Sequence, residues 1–174
     1  MKLKKLIKLM YMKSIELLNP IKAAKKRGVN YGENLHLYGH VRWGSEPWII
    51  TIGNNVHLTD GIRFVTHDGG SLILRHEIPD LEITKPITIG NNVYIGVETI
   101  ILPGVNIGNN VVIGARSVVS RDIPDNSVAV GTPARVIKTM NEYKEKLMKE
   151  SLHLGHLKGK EKDYALKKYY GYVK

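Results

Sequence analysis

The stretch ITIGNNVYIGVETIILPGVNIGNNVVIGARSVV, residues 87–119, decides the fold. A branched apolar residue stands at every sixth position: Ile89, Ile95, Ile101, Ile107, Ile113 and Val119. A second set follows each of these by four residues: Val93, Thr99, Val105, Val111, Ser117 and Ile123. Glycine comes directly after the first set at Gly90, Gly96, Gly108 and Gly114. A period of six fits neither the turn of a helix nor the alternation of a single strand. It fits very short strands joined by repeated corners, with branched side chains inside and small residues near the turns.

The corners have suitable chemistry. Asn-Asn pairs stand at 54–55, 91–92 and 109–110, and Pro103-Gly104 supplies another turn; asparagine tolerates positive φ better than most residues. The same phase runs upstream through ITIGNNVHLTDGIRFV, residues 50–65, at Ile52, Leu58 and Phe64, and more weakly at Tyr31, Leu37 and Trp43. Residues 29–137 therefore read as a solenoid of stacked coils, in which no repeat can bury its inner face alone. The segment DGGSLILRHEIPDLEITKP, residues 68–86, breaks the phase directly after Thr66-His67. It is too long for a turn and leaves the coil as a loop, the kind of excursion that carries function on a rigid scaffold.

Both ends differ from the body. Residues 3–18 place Leu3, Leu6, Ile7, Met10, Ile15, Leu17 and Leu18 at near-helical spacing among lysines. Asn19-Pro20 interrupts that helix, and a second short one runs through Ile21, Ala23 and Ala24 to Gly28. Residues 1–28 are read as a basic helical cap that braces the solenoid, in preference to an amphipathic helix making peripheral membrane contact through residues 1–18. Residues 138–174 form a C-terminal extension, helical over 140–149 and without a clean period beyond. Its interleaved lysines and tyrosines are assigned to capping or subunit contact, not to nucleic acid.

Charge follows the same division. Residues 1–28 hold nine Lys/Arg and one Glu, residues 29–137 seven Lys/Arg and ten Asp/Glu, and residues 138–174 ten Lys and five Asp/Glu. The acidic body excludes a nucleic-acid surface there, while the basic ends suit phosphate-bearing ligands. Cysteine is absent, which removes disulfides, a thiolate nucleophile and thiolate-ligated metals. The chain shows no convincing secretory signal and no apolar run long enough for a membrane span, which fits a cytoplasmic protein.

The hexads at 87–123 and the segment GVNIGNNVVIGARSVVSRDIPDNSVAVGTPARVI, residues 104–137, resemble the hexapeptide-repeat acyltransferases. The resemblance covers roughly residues 29–137. It implies an all-β solenoid, a left-handed parallel β-helix, here with short N-terminal and C-terminal helical extensions. The single Thr66-His67-Asp68 before the loop is similar to the maltose, galactoside, streptogramin and capsular-polysaccharide O-acetyltransferases. Serine acetyltransferases fit less well, because only His57 stands in the preceding coil and no Gly-Asp-Arg-His-Pro follows.

The resemblance implies transfer of acetyl from acetyl-CoA to a hydroxyl of a sugar or polysaccharide precursor by a homotrimer, with His67 as general base. Histidine suits that task physically, since direct acyl transfer needs a base that titrates near neutrality. Asp68, Asp60 and Tyr94 are the candidate substrate contacts, with Asp68, Asp60 or a main-chain carbonyl left open as the group orienting His67. Gly96, Gly114, Ala115, Ser120, Arg121 and Arg135 match positions that line the family's cofactor groove. A backbone N–H near 95–97 is expected to hold the oxyanion. Val97 and Tyr94 depart from the serine and tryptophan frequent in sugar-acetylating relatives.

Three other classes compete. A metal-dependent carbonic anhydrase of this architecture needs three aligned histidines, but His67 is followed by His76 with none at 72, so no metal is expected. A xenobiotic O-acetyltransferase acting on an antibiotic hydroxyl uses the same fold. A non-catalytic β-helix scaffold would share the repeats but not the placement of His67.

Overall fold

The computed structural model describes residues 7, 10, 11 and 14–173. Two compact units divide the chain, Met1–Met140 and Asn141–Lys174.

The first unit is the solenoid, a left-handed parallel β-helix. Its strands are β1 (Asn30–Tyr31), β2 (Leu35–Leu37), β3 (Ile50–Ile52), β4 (Val56–Leu58), β5 (Arg63–Phe64), β6 (Ile87–Ile89), β7 (Val93–Ile95), β8 (Ile100–Ile101), β9 (Asn106–Ile107), β10 (Val111–Ile113), β11 (Val118–Val119), β12 (Ser127–Val130) and β13 (Arg135–Thr139). They form three sheets, ordered β1-β3-β6-β9, β2-β4-β7-β10-β12-β13 and β5-β8-β11. All the pairings are parallel except β12 with β13.

The hexad residues are the core. Ile52, Leu58, Phe64, Ile89, Ile95, Ile101, Ile107, Ile113 and Val119 are all buried, as are Val56, Val93, Val105, Val111 and Ile123 of the second set. Each such side chain removed from water is worth about 1.5–3 kcal/mol, so stacking rather than any single coil holds the fold. The buried hydroxyls are satisfied locally. Thr99 Oγ1 donates to Gly96 O at 2.8 Å, and Ser117 Oγ donates to Gly114 O at 2.8 Å while accepting from Gly131 N–H at 3.0 Å.

The asparagine corners behave as their chemistry dictates. Asn34, Asn55, Asn92, Asn110 and Asn126 all have φ between 54° and 57°, the left-handed region that asparagine enters more readily than other non-glycine residues. Their amides form a ladder along one edge: Asn55 Nδ2 donates to Asn92 Oδ1, Asn92 Nδ2 to Asn110 Oδ1, and Asn110 Nδ2 to Asn126 Oδ1, at 2.9–3.1 Å. Beside it, Oδ1 of Asn91, Asn109 and Asp125 accepts the backbone N–H of Asn54, Asn91 and Asn109 in turn.

Register explains the breaks in phase. Ile89 pairs with Ile107, a coil of 18 residues. Tyr31 pairs with Ile52 and Leu37 with Leu58, a coil of 21; the extra three residues are the 3₁₀ turn Pro47–Ile49. Ile52 pairs with Ile89, a step of 37, and the surplus of 19 is the length of the expected loop 68–86.

Both ends of the stack are closed. Helix α1 (Pro20–Arg27) follows the Asn19 cap, whose Oδ1 accepts Lys22 N–H at 2.9 Å, and ends at Gly28 with φ 97°. It packs Ala23 and Ala24 into the core beside β2. At the other end β13 turns back antiparallel on β12 and becomes the edge strand of that sheet. The sequence reading ended the solenoid at 137 and did not anticipate this return strand. Of the helix expected over 3–18, residues 7, 10, 11 and 14–18 are helical, while Leu3 and Leu6 lie outside the described residues.

The second unit holds α2 (Met140–Glu150) from its second residue on, a helix expected from sequence, and α3 (Gly159–Tyr169), which was not. Neither helix buries a residue within the chain, so α3 has no apolar period to read. It rests on good helix formers and an i,i+4 pair, Lys167 with Asp163 at 2.6 Å.

Candidate active site

Two adjacent coils build the site. Trp43 stacks on Phe64 in the core, ring centroids 5.2 Å apart. Gly44, with φ 73°, carries the chain so close to the next coil that a Cβ there would lie 2.8 Å from Phe64 O. That approach sets Glu46 directly over Thr66 and His67. Glu46 Oε2 accepts from the Thr66 hydroxyl at 2.5 Å and lies 3.1 Å from His67 Nδ1.

The protonation pattern follows. The Thr66 hydroxyl, reinforced by His67 and opposed by partial burial, holds the Glu46 carboxyl below the usual carboxylate range. An ionised carboxylate only accepts, so His67 Nδ1 is the donor in this contact, and in the neutral imidazole the lone pair is on Nε2. A histidine set up this way can take a proton at Nε2 while a fixed anion stabilises the resulting cation.

The loop begins at this dyad. Asp68 N–H donates to Ile83 O at 2.8 Å and Lys85 N–H to Thr66 O at 2.9 Å, so departing and returning strands are zipped together beside His67. Asp68 caps the 3₁₀ helix Gly69–Leu74, its Oδ1 accepting Gly70 N–H at 2.9 Å. Arg75 staples the loop from within, through Nε to Leu81 O at 2.9 Å and through Nη2 to Glu82. Together Glu46, His67, Asp68, Ser71, Arg75 and Glu82 line a cleft of about 240 Å³.

The remaining candidates stand elsewhere. Asp60 is exposed and its Oδ1 accepts His40 N–H at 2.6 Å, the work of a coil turn; it does not line this cleft. Tyr94 projects from β7, 43% exposed, in register with His57 on β4. Gly96 and Gly114 occupy one corner column: a Cβ on Gly96 would meet Ala115 N at 2.5 Å, and one on Gly114 would meet Val130 at 2.6 Å. Ala115, Ser120, Arg121 and Arg135 are exposed on successive turns toward the C-terminal end of the stack. Gly96 N–H, a candidate oxyanion donor, is already committed to Ile113 O at 2.9 Å, so that part of the expectation fails for Gly96. No group of three or more metal-ligating side chains occurs among the described residues.

Glu46 was missed by the sequence reading. The signal was present: it follows Trp43 by three residues as His67 follows Phe64, and the 21-residue coil step that pairs Leu37 with Leu58 carries Glu46 onto His67.

Comparison with known proteins agrees with this architecture. The sequence family described as bacterial transferase hexapeptide (six repeats) matches residues 86–121. Protein CapG of Staphylococcus aureus is 45% identical over 148 residues, 83% of this chain and 86% of CapG. The crystal structure of a maltose O-acetyltransferase from Clostridium difficile 630 superposes with a TM-score of 0.56 at 31% identity, over 75% of this chain and 84% of that one. A galactoside acetyltransferase in complex with coenzyme A gives 0.57 at 32% identity, over 71% of each chain. The repeats, the sheet order and these likenesses place the chain in the hexapeptide-repeat acyltransferase family, as an acetyl-CoA-dependent acyltransferase.

Proposed function

We propose that this protein is an O-acetyltransferase that acetylates a hydroxyl of a sugar or polysaccharide precursor by direct transfer, with His67 as general base and Glu46 as its positioning residue. The observation that carries the reading is the Glu46–His67 contact at the mouth of the loop cleft. His67 Nε2 takes the proton of the acceptor hydroxyl as that oxygen attacks the thioester carbonyl. The C–S bond breaks, and the departing thiolate recovers the proton from His67. With no cysteine in the chain, an acyl-thioester on the protein is not part of the route. Asp68 has a second carboxylate oxygen to offer an acceptor hydroxyl beside His67. Asp60 and Tyr94, outside that cleft, serve the acceptor only if a neighbouring subunit brings them to it.

The donor fits the corner column. Ala115, small and exposed, leaves room for a pantetheine arm beside Gly96 and Gly114, which pack against the next coil, and Arg121 and Arg135 would supply fixed positive charge for the nucleotide phosphates. A homotrimer suits this arrangement, since closed cyclic packing would cover the loop's exposed Leu72, Ile73 and Ile78. A cytoplasmic setting, where acetyl-CoA would be available as donor, is part of the same reading.

Glu46→Gln tests the dyad. The variant should fold normally and lose about 10–10²-fold in kcat with little change in KM. Nitrogen NMR of the imidazole should report the Nδ1–H tautomer in the parent and a mixture in the variant; an unchanged tautomer and rate would remove Glu46 from the mechanism. The pH dependence has a definite sign. Because the folded state lowers the Glu46 pKa, its stabilising contribution is present above the ordinary carboxylate range and is lost as pH falls through the lower folded value. Acid unfolding should therefore be less steep in Glu46→Gln.

Arg135→Ala should weaken acetyl-CoA binding about tenfold, the loss expected for one charge-assisted phosphate contact. Calorimetric titration giving the parent's affinity would reject that assignment.

A further inference from the structure

Ile7, Met10, Tyr11, Ser14, Leu17 and Leu18 recur at steps of three and four, the spacing of one helical face, and all six are helical. They are not part of the core. Ile7 is 58% exposed, Met10 62%, Tyr11 53%, Leu17 86% and Leu18 82%. Leu17 and Leu18 are the most exposed large apolar side chains among the described residues. The brace expected from sequence is thus supplied by α1, through Ala23 and Ala24, and this stripe has no cover among the described residues.

Its surroundings are cationic. Lys22, Lys25 and Lys26 are exposed on α1. Lys26 Nζ sits 4.4 Å from the centre of the Tyr11 ring and 2.6 Å from its hydroxyl, which fixes a positive charge beside the stripe. The only acid in residues 1–28, Glu16, is neutralised by Arg27 at 3.1 Å. An apolar face rimmed by uncompensated lysines matches an anionic bilayer, with side chains at the acyl boundary and ammonium groups at the head groups. A second copy of the same segment would instead bring nine more Lys/Arg against these nine. No helix among the described residues is long and apolar enough to cross a membrane, so a bilayer contact of this segment would be at the surface.

We propose that this N-terminal stripe, with the lysines of α1, docks the protein on the surface of an anionic lipid bilayer. The inference is independent of the active-site reading. The test is flotation of the full chain with phosphatidylcholine vesicles, pure or doped with phosphatidylglycerol. Doped vesicles should carry the protein, pure ones about a tenth as much or less, and salt should release it. Leu17→Glu combined with Leu18→Glu should cut flotation about tenfold or more, while acetyl transfer to a soluble acceptor and the oligomer's mass stay unchanged. Failure of the parent to float with doped vesicles would overturn the proposal, as would parent-like flotation of the double variant. A changed oligomer mass in that variant would also overturn it, by assigning the stripe to a contact between subunits.

Discussion

His67→Ala should lower kcat by about 10²–10⁴-fold, the range that a positioned general base contributes, and should leave the fold intact. The side chain is 40% exposed and outside the core, so its removal opens no cavity. It leaves Glu46 still bonded to the Thr66 hydroxyl, so no charge is stranded. Loss of rate without loss of stability is therefore the signature of a base. A parallel fall in melting temperature and rate would mark a structural histidine instead. Steady-state kinetics alongside thermal unfolding separates the two.

Ile101→Ala should cost about 2–5 kcal/mol of stability. Ile101 is fully buried on β8, stacked between Phe64 of β5 and Val119 of β11. Truncation leaves a void that cannot close, because the ladder bonds above and below hold neighbouring coils about 4.8 Å apart. Its neighbour Ile100 faces outward and is only half-buried. Ile100→Ala should cost about 1 kcal/mol or less. Denaturant midpoints for the two variants read this inside–outside assignment directly, and equal losses would contradict it.

The solenoid was legible because its signal is repeated. A single hexad such as Ile107–Val112 fits many local structures, but six in one register fit only coils of fixed length. The corners were legible for a local reason, since asparagine names the positive φ it occupies at Asn55, Asn92 and Asn110. Glu98 and Arg116 take the same conformation, φ 58° and 57°, without a residue type that announces it; their side chains pair across the corner at 2.6 Å instead. Helix α3 carried no apolar pattern because nothing in it is buried.

The candidate site was legible in part. His67 is singled out in the sequence by its place before the loop. Glu46 is not, because carboxylates are common and the contact spans 21 residues through a coil lengthened by the turn Pro47–Ile49. The positions of Asp60 and Asp68 relative to the cleft could not be read from sequence either. Both are aspartates next to glycine in a turn, and both spend Oδ1 on a backbone N–H. Only the three-dimensional course of the loop places Asp68 in the cleft and Asp60 outside it.

The most direct test of the central claim is free-thiol release from acetyl-CoA across a panel of sugars, nucleotide sugars and hydroxylated antibiotics, run in parallel with the parent protein and His67→Ala. Acetyl transfer from this site predicts acceptor-dependent thiol release with a sugar hydroxyl, lost in the variant. Thiol release with no member of the panel, or equal release by the His67→Ala protein, would contradict it.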